Sequence, residues 1–303
     1  MRREIGVIPL ATLILGVVVV SGCSETVDGL TPVGGAEASE VEQRRFLRRL
    51  HLDLSGAVPN ESDLTANLDT LSSDGDSATT RAGLADGLLS QDKFPIQFVS
   101  EIENGVYGGE RIEDRYALLC GIIRSNTVAC QSCTSSDPCD CTCTELAEIF
   151  TDRQGLYDAA DDMMAGASTS DIERRYAKSR AFRDLSAADT VSTQLFEQFV
   201  GRIPEPDELT NSARMMNGLQ LDPSNPTGLL FHRHGSDYDD LIDIIFESEV
   251  YREALVKRVF ERYLGRLPSA DELSHFSPEV DSSNPDLRPI IRAVTSSREY
   301  FEQ

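Results

Sequence analysis

The stretch Leu255-Val-Lys-Arg-Val-Phe-Glu-Arg-Tyr-Leu-Gly265-Arg-Leu-Pro268-Ser-Ala-Asp-Glu272-Leu273 decides the fold. Its apolar residues recur at helical spacing at Leu255, Val259 and Tyr263. Gly265 follows where a helix ends in a left-handed residue, and Pro268 cannot continue that helix without loss of a hydrogen bond. Ser269 is a good N-cap for a second helix, and Glu272 falls at its third position. The stretch therefore predicts a helix, a tight Gly-x-x-Pro turn and a second helix.

The same pattern occurs twice more along the chain. The two further copies are residues 46–64, which turn at Gly56 and Pro59, and residues 191–209, which turn at Gly201 and Pro204. A second pattern recurs between them, an amphipathic helix that ends in Ser and leads to an aromatic residue. It precedes Phe94, Phe182, Tyr251 and Tyr300. No segment alternates long enough to predict a sheet, and Gly-Val-Tyr-Gly-Gly at 105–109 predicts a turn. We therefore predict an all-α fold of repeated helix–turn–helix modules.

The N-terminus has the features of an exported lipoprotein. Two arginines precede an apolar run from Leu10 to Val20, which is shorter than the roughly 20 residues that span a bilayer. The run has the length and flanks of a secretory leader. It ends in Val20-Ser-Gly-Cys23, which resembles the bacterial lipobox and implies cleavage before Cys23 and acylation of that residue. An ordinary signal peptide or membrane anchor is the alternative.

The residues after Cys23 predict a flexible connection to the folded part. They are rich in Gly, Ser, Thr and Glu, a composition that buries too little apolar surface to become ordered. Ser24, in place of Asp, resembles the sorting signal for the outer membrane of the cell envelope. The predicted segments are a lipoprotein signal peptide (1–22), a tether (23–41), helical module 1 (42–118), a disulfide-rich loop insert (119–146), helical module 2 (147–254) and helical module 3 (255–303).

Two resemblances to known families follow from these motifs. Residues 44–64 contain Arg-Arg-Leu-His-Leu-Asp-Leu-Ser-Gly and resemble a domain of unknown function in exported planctomycete and myxobacterial proteins. His51 stands where Tyr is usual in that family. Residues 192–258 and 256–303 resemble bacterial surface-protein repeats of the Leu-x-Gly-Arg-x-Pro type. The first resemblance implies an association with cytochrome c-like modules, and both imply helical domains.

A cysteine-rich insert separates the first two modules. Its members are Cys120, Cys130, Cys133, Cys139, Cys141 and Cys143. The predicted export places them in an oxidising compartment, so we expect three disulfides, whose pairing the sequence leaves open. The alternatives are a zinc or iron–sulfur centre held by four thiolates and a redox-active pair of Cys130 and Cys133. Thr134 follows Cys133 where covalent haem attachment requires His.

One ionic cluster is a candidate metal site. It contains His232, His234, Asp237 and Asp239, which lie just before an amphipathic helix. Imidazoles and carboxylates can bind a divalent cation, whereas Asp at a helix N-terminus also stabilises the helix dipole. The sequence favours the second interpretation. We therefore predict neither a metal nor a cofactor. If the chain does bind a divalent cation, these four residues are the candidate ligands.

The net charge and the lack of a readable catalytic motif limit the classes of function that we expect. The net charge of −23 repels nucleic acid, so no nucleic-acid partner is expected. No nucleophile–base arrangement is readable in the sequence. We predict an exported, lipid-anchored, non-enzymatic interaction or scaffold protein of the cell envelope, with the membrane and an envelope protein as partners. The alternatives are an accessory subunit of an exported redox or degradative system, or a metal or redox module at the cysteines.

Overall fold

The computed structural model describes residues 38–73, 75–131, 143–218, 227–280 and 285–303. The predicted signal peptide, Cys23 and all of the tether before residue 38 lie outside the described residues, as do Cys133, Cys139 and Cys141. Within the described ranges, no helix has the length and apolar character needed to cross a membrane. The first helix begins at Glu40, two residues before the predicted start of module 1.

The described residues form sixteen α-helices and confirm the predicted all-α class. The first seven are α1 (Glu40–Ser55), α2 (Glu61–Ser73), α3 (Ala78–Leu89), α4 (Lys93–Tyr107), α5 (Ile112–Asn126), α6 (Thr144–Tyr157) and α7 (Ala159–Met164). The other nine are α8 (Thr169–Lys178), α9 (Arg180–Arg183), α10 (Ala188–Leu195), α11 (Pro206–Asn217), α12 (Tyr238–Phe246), α13 (Glu249–Leu264), α14 (Ala270–Glu279), α15 (Arg288–Thr295) and α16 (Arg298–Glu302). A 3-10 turn (Val128–Cys130) follows α5, and a π-helical turn (Phe196–Val200) extends α10.

The three predicted Gly-x-x-Pro turns are confirmed. Gly56, Gly201 and Gly265 have φ angles of 66°, 73° and 67° and end α1, the π-helical turn and α13. A side chain at such a φ is strained, which explains the glycine in each turn. The helices that follow are α2, α11 and α14, each beginning within five residues of its glycine. The motif therefore folds as the sequence predicts at all three places.

A fourth helix ends in the same way without a proline. Gly108 has a φ of 63° and ends α4, and α5 begins at Ile112. The turn predicted at 105–109 therefore begins only at Gly108, because residues 105–107 still belong to α4. The short helix α3 precedes α4 as α12 precedes α13. Gly218, with a φ of 59°, likewise ends α11, so five helical segments among the described residues end in a left-handed glycine.

The recurring Ser-x-x-aromatic pattern is a helix cap. The hydroxyl oxygens of Ser179, Ser248 and Ser297 accept hydrogen bonds from the backbone N–H groups of Phe182, Tyr251 and Tyr300, at 3.3, 3.0 and 3.2 Å. These serines begin α9, α13 and α16. Each aromatic residue is buried within the first turn of its helix. The pattern therefore marks where a short amphipathic helix stops and a new helix starts.

A short β-hairpin corrects the expectation that no sheet forms. Strands β1 (Gly228–Leu230) and β2 (Arg233–Gly235) are antiparallel, with Gly228 opposite Gly235. Three residues per strand are too few for a polar–apolar alternation to be recognised in the sequence. The hairpin packs on α11 through Gly228, where a Cβ would lie 2.7 Å from the carbonyl oxygen of Asn211. This close approach requires glycine at the start of β1.

The modules pack around a shared core. Two predicted boundaries fall inside helices. The boundary between modules 2 and 3, at residues 254 and 255, lies within α13, and the boundary between module 1 and the insert, at residues 118 and 119, lies within α5. At the C-terminus, α16 packs on α1, with the Phe46 ring centroid 5.1 Å from that of Phe301 and 6.0 Å from that of Tyr300. The described part of the chain belongs to one compact unit.

Candidate functional site

Four of the segments that end in a left-handed glycine, namely α1, α4, the π-helical turn and α13, line one cavity of about 150 Å³. Asp53, Gln198 and Arg262 line it, and each stands three residues before the glycine that ends its segment. The equivalent residue before Gly108 is Gly105. A Cβ at Gly105 would lie 2.5 Å from the amide nitrogen of Gln198, so the missing side chain lets Gln198 pack against α4. The position three residues before the glycine therefore lines the cavity in three of these four segments.

An ion pair between buried Glu173 and half-buried Arg258 lines the cavity, and we call this pair the floor. Tyr251 contacts Glu173 from outside the lining. Glu173 of α8 is 1% exposed. Its carboxylate accepts hydrogen bonds from the Tyr251 hydroxyl at 2.7 Å and from Arg258 Nη2 at 3.0 Å, and Arg258 Nη1 lies 2.9 Å from its other oxygen. Burial raises the pKa of Tyr251 far above its usual range, so the phenol stays a donor. Burial alone would lower the pKa of Arg258, but Glu173 raises it overall.

A second ion pair forms the mouth of the cavity, defined here as Glu101 and Arg262. Arg262 Nη2 donates to Glu101 Oε1 at 2.7 Å, and Nη1 donates to the other oxygen. Gln97 Nε2 donates to Glu101 at 2.9 Å. Both side chains of the mouth remain more than one third exposed, at 37% for Glu101 and 39% for Arg262. The mouth therefore joins α4 to α13 while remaining open to solvent.

Asp53 joins the N-terminal and C-terminal helices beside the mouth. Its carboxylate accepts a hydrogen bond from the Tyr300 hydroxyl at 2.7 Å and lies 3.4 Å from Arg49 Nε. Arg49 also donates to the carbonyl oxygen of Tyr263 at 2.6 Å, and its guanidinium carbon lies 4.4 Å from the centroid of the Tyr300 ring. Asp53 and Arg49 of α1 thus bond to α16 and α13 and link the three helices.

The remaining wall of the cavity is apolar. It consists of Phe94, Phe98 and Ile102 from α4, Val259 from α13, Ile291 from α15 and the adjacent Leu287. All six side chains are largely buried. The cavity therefore sets three carboxylates and two guanidinium groups beside an apolar wall. Such an arrangement can hold a small molecule that has both charged and apolar parts.

The four candidate metal ligands do not contribute to this cavity. They lie on the hairpin and at the start of α12: His232, His234, Asp237 and Asp239. Asp237 is the N-cap of α12, and its side chain accepts a hydrogen bond from the Asp240 N–H at 2.9 Å. Over the residues that the structure describes, no group of three or more His, Cys, Asp or Glu side chains converges.

Two of the six insert cysteines are bonded to each other. The disulfide joins Cys130, at the end of the 3-10 turn, to Cys143, just before α6. Cys120 in α5 is also disulfide-bonded. The Cys130–Cys143 bond uses two thiols that the metal alternative requires, and it removes Cys130 from a redox pair with Cys133.

Each of the three Gly-x-x-Pro turns exposes one large apolar side chain. Val58, Ile203 and Leu267 stand between glycine and proline, and their exposed fractions are 65%, 68% and 58%. We refer to these three residues as the tips. Because the position is the same in every turn, the exposure is a property of the repeated motif. Their place between glycine and proline is readable in the sequence, but nothing in the sequence indicates that they are exposed.

Comparisons with models of protein families, with curated proteins and with solved structures return no match.

Proposed function

We propose that this chain is an exported, lipid-anchored protein of the cell envelope that acts by binding another envelope protein through its tips. The observation that carries the proposal is the exposure of Val58, Ile203 and Leu267 at one equivalent position in three turns. Single exposed apolar residues are ordinary on protein surfaces. Three at the same position of a repeated motif favour a shared use.

Two of the three turns, those of Ile203 and Leu267, are held by ion pairs. Arg202 and Arg266, each next to a glycine, form paired hydrogen bonds with Glu208 and Glu272 in the next helix, at 2.7 to 2.9 Å. Forked arginine–carboxylate pairs fix geometry as well as adding energy. A rigid turn loses little conformational freedom when a partner covers it, which favours binding.

Charge limits the kind of partner. The net charge of −23 disfavours acidic proteins, nucleic acid and anionic membrane surfaces. The tips are followed by acidic residues in the first turns of the next helices: Glu61, Asp207 and Asp271. We therefore propose a protein partner that offers shallow apolar pockets with basic side chains around them.

Photo-crosslinking tests the role of the tips. A photoreactive phenylalanine analogue replaces Val58, Ile203 or Leu267 one at a time in the full chain, in the bacterium that produces it. Leu118 of α5 is the matched control, because it is a large apolar residue with a similar exposed fraction of 57%. The proposal requires the same adduct from the tips and not from Leu118. Adducts that do not differ between tips and control would refute it.

Labelling with palmitate tests the anchor separately. The proposal requires label in the wild-type chain, and none in the Cys23→Ala variant, which keeps the folded part unchanged. Because an acyl chain supplies membrane affinity, the variant is also expected to leave the membrane fraction. Unlabelled full-length wild-type protein in the cytosol would contradict the anchor and the envelope location together.

A further inference from the structure

The mouth of the central cavity places opposite charges side by side. Glu101 and Arg262 pair with each other and are both more than one third exposed. Asp53 lines the same cavity, and its carbonyl oxygen lies 3.4 Å from Arg262 Nη2. A ligand that enters here must compete with the ion pair. The charge of the ligand therefore decides whether the exchange is favourable.

A ligand with a single charge would leave one protein group unpaired. An anion drawn to Arg262 displaces Glu101, and a cation drawn to Glu101 displaces Arg262. An unpaired charge in a partly buried site is costly. A ligand that carries both a carboxylate and an ammonium replaces one internal pair with two pairs to the protein. The exchange then leaves neither Glu101 nor Arg262 without a partner.

The wall and the size of the cavity define the rest of the ligand. Phe94, Phe98 and Ile291 present apolar surface next to the mouth. A volume of about 150 Å³ matches that of an apolar cavity, about 150 Å³, that admits one benzene-sized molecule. It is therefore suited to one small molecule. Burial of an aliphatic or aromatic side chain against this wall adds a favourable hydrophobic contribution.

We propose that this cavity binds a small zwitterion of the amino-acid type, with its carboxylate on Arg262, its ammonium on Glu101 and Asp53, and an apolar side chain against α4 and α15. Gln198 lies at the same wall, seated against Gly105. This site is separate from the tips, and the proposal does not depend on the proposed protein partner.

Calorimetric titration of the full, disulfide-intact chain tests the charge argument. The three probes are L-leucine, 3-methylbutanoate and 3-methylbutylamine, which share an isobutyl group and differ in charge. We expect L-leucine to bind at least about tenfold more tightly than either singly charged probe, a difference of one order in Kd. Equal binding of the amine or the carboxylate would overturn the zwitterion assignment. No binding of L-leucine at millimolar concentration would overturn the site itself.

Substitutions of Glu101 and Arg262 test whether L-leucine binds at the mouth of the cavity. Arg262→Gln and Glu101→Gln are each expected to weaken L-leucine binding at least about tenfold, because each removes one ligand charge partner. Arg298→Gln is the control, since Arg298 pairs with Asp76 and Glu302 outside the cavity lining. Thermal melting shows whether each variant is folded, and Glu101→Gln retains the test if Arg262→Gln fails to fold. Unchanged binding in a folded mouth variant would place the ligand elsewhere.

Discussion

Arg266 reaches across the Gly265–Pro268 turn and forms a forked pair with Glu272 in the first turn of α14. Its two terminal nitrogens donate to the two carboxylate oxygens at 2.9 and 2.8 Å. The same carboxylate accepts the Ser269 N–H at 2.7 Å, so one side chain caps α14 and fixes the turn. Arg266 also donates to Glu299 of α16 at 2.6 Å. The turn is therefore tied both to α14, the helix that follows it, and to α16.

Replacement of this arginine tests how much the forked pair stabilises the fold. Arg266→Met is expected to lower the free energy of unfolding by about 1 to 2 kcal/mol, since two carboxylates lose their partner. The matched variant Arg202→Met removes one carboxylate pair, that with Glu208, in place of two, and should cost about half as much, about 0.5 to 1 kcal/mol. Urea denaturation measures both. Equal losses of unfolding free energy in the two variants would show that the Arg266–Glu299 pair does not contribute to stability.

The same carboxylate predicts a pH dependence. Hydrogen bonds from Arg266 lower the pKa of Glu272 to about 2. A lowered folded-state pKa contributes stability that is fully present above the ordinary glutamate pKa and is lost as pH falls towards 2. After allowance for solvent screening, we expect this contribution to be about 1 kcal/mol. Denaturation between pH 5 and pH 2 should show a smaller loss of stability in Glu272→Gln than in the wild type. Parallel curves would rule out the effect.

The hairpin contact with α11 predicts opposite effects of two glycine substitutions. Gly228→Ala places a Cβ 2.7 Å from the Asn211 carbonyl oxygen, and we expect a loss of about 1 to 3 kcal/mol from overpacking. Gly87→Ala is the control, because nothing lies within 4 Å of its Cβ. In the interior of α3 it should stabilise by about 0.5 to 1 kcal/mol. Thermal melting measures both, and a stabilising Gly228→Ala would contradict the packing described.

The floor of the cavity predicts a ranking of substitutions. Glu173→Ala leaves Arg258 without its buried partner and is expected to cost about 3 kcal/mol. Tyr251→Phe removes one hydrogen bond but keeps the ion pair, so its expected cost is about 1 kcal/mol. Chemical denaturation should give these losses in that order. The reverse order would mean that the phenol, rather than the guanidinium, holds Glu173 in place.

The sequence was most informative where one residue type serves a local backbone need. Gly265 and Pro268 predict the turn because left-handed φ and a missing N–H act within a few residues. A further helix end of this kind, at Gly108, lacks the proline and was therefore not recognised as part of the repeat. The Arg266–Glu272 pair was missed, although Gly-Arg-x-Pro followed by Glu four residues later occurs twice in the sequence.

The central cavity lay beyond sequence reasoning. Glu101 and Arg262 are 161 residues apart, and nothing local to either residue indicates that α4 meets α13. Glu173 resembled any other carboxylate in an acidic chain, whereas the structure buries it against Tyr251 and Arg258. Periodicity indicates which face of a helix is buried, but it does not indicate which helices share that burial.

The central claim, a membrane-held protein that binds its partner through exposed turn residues, has one direct test. A photoreactive analogue replaces Ile203 in cells, and adduct yield is compared with Cys23 intact and with Cys23→Ala. Anchoring raises the local concentration of partners in the same membrane, so the account predicts one defined protein adduct that falls at least about tenfold without the lipid. A yield that is independent of Cys23, or an intact chain that forms no adduct, would contradict the account.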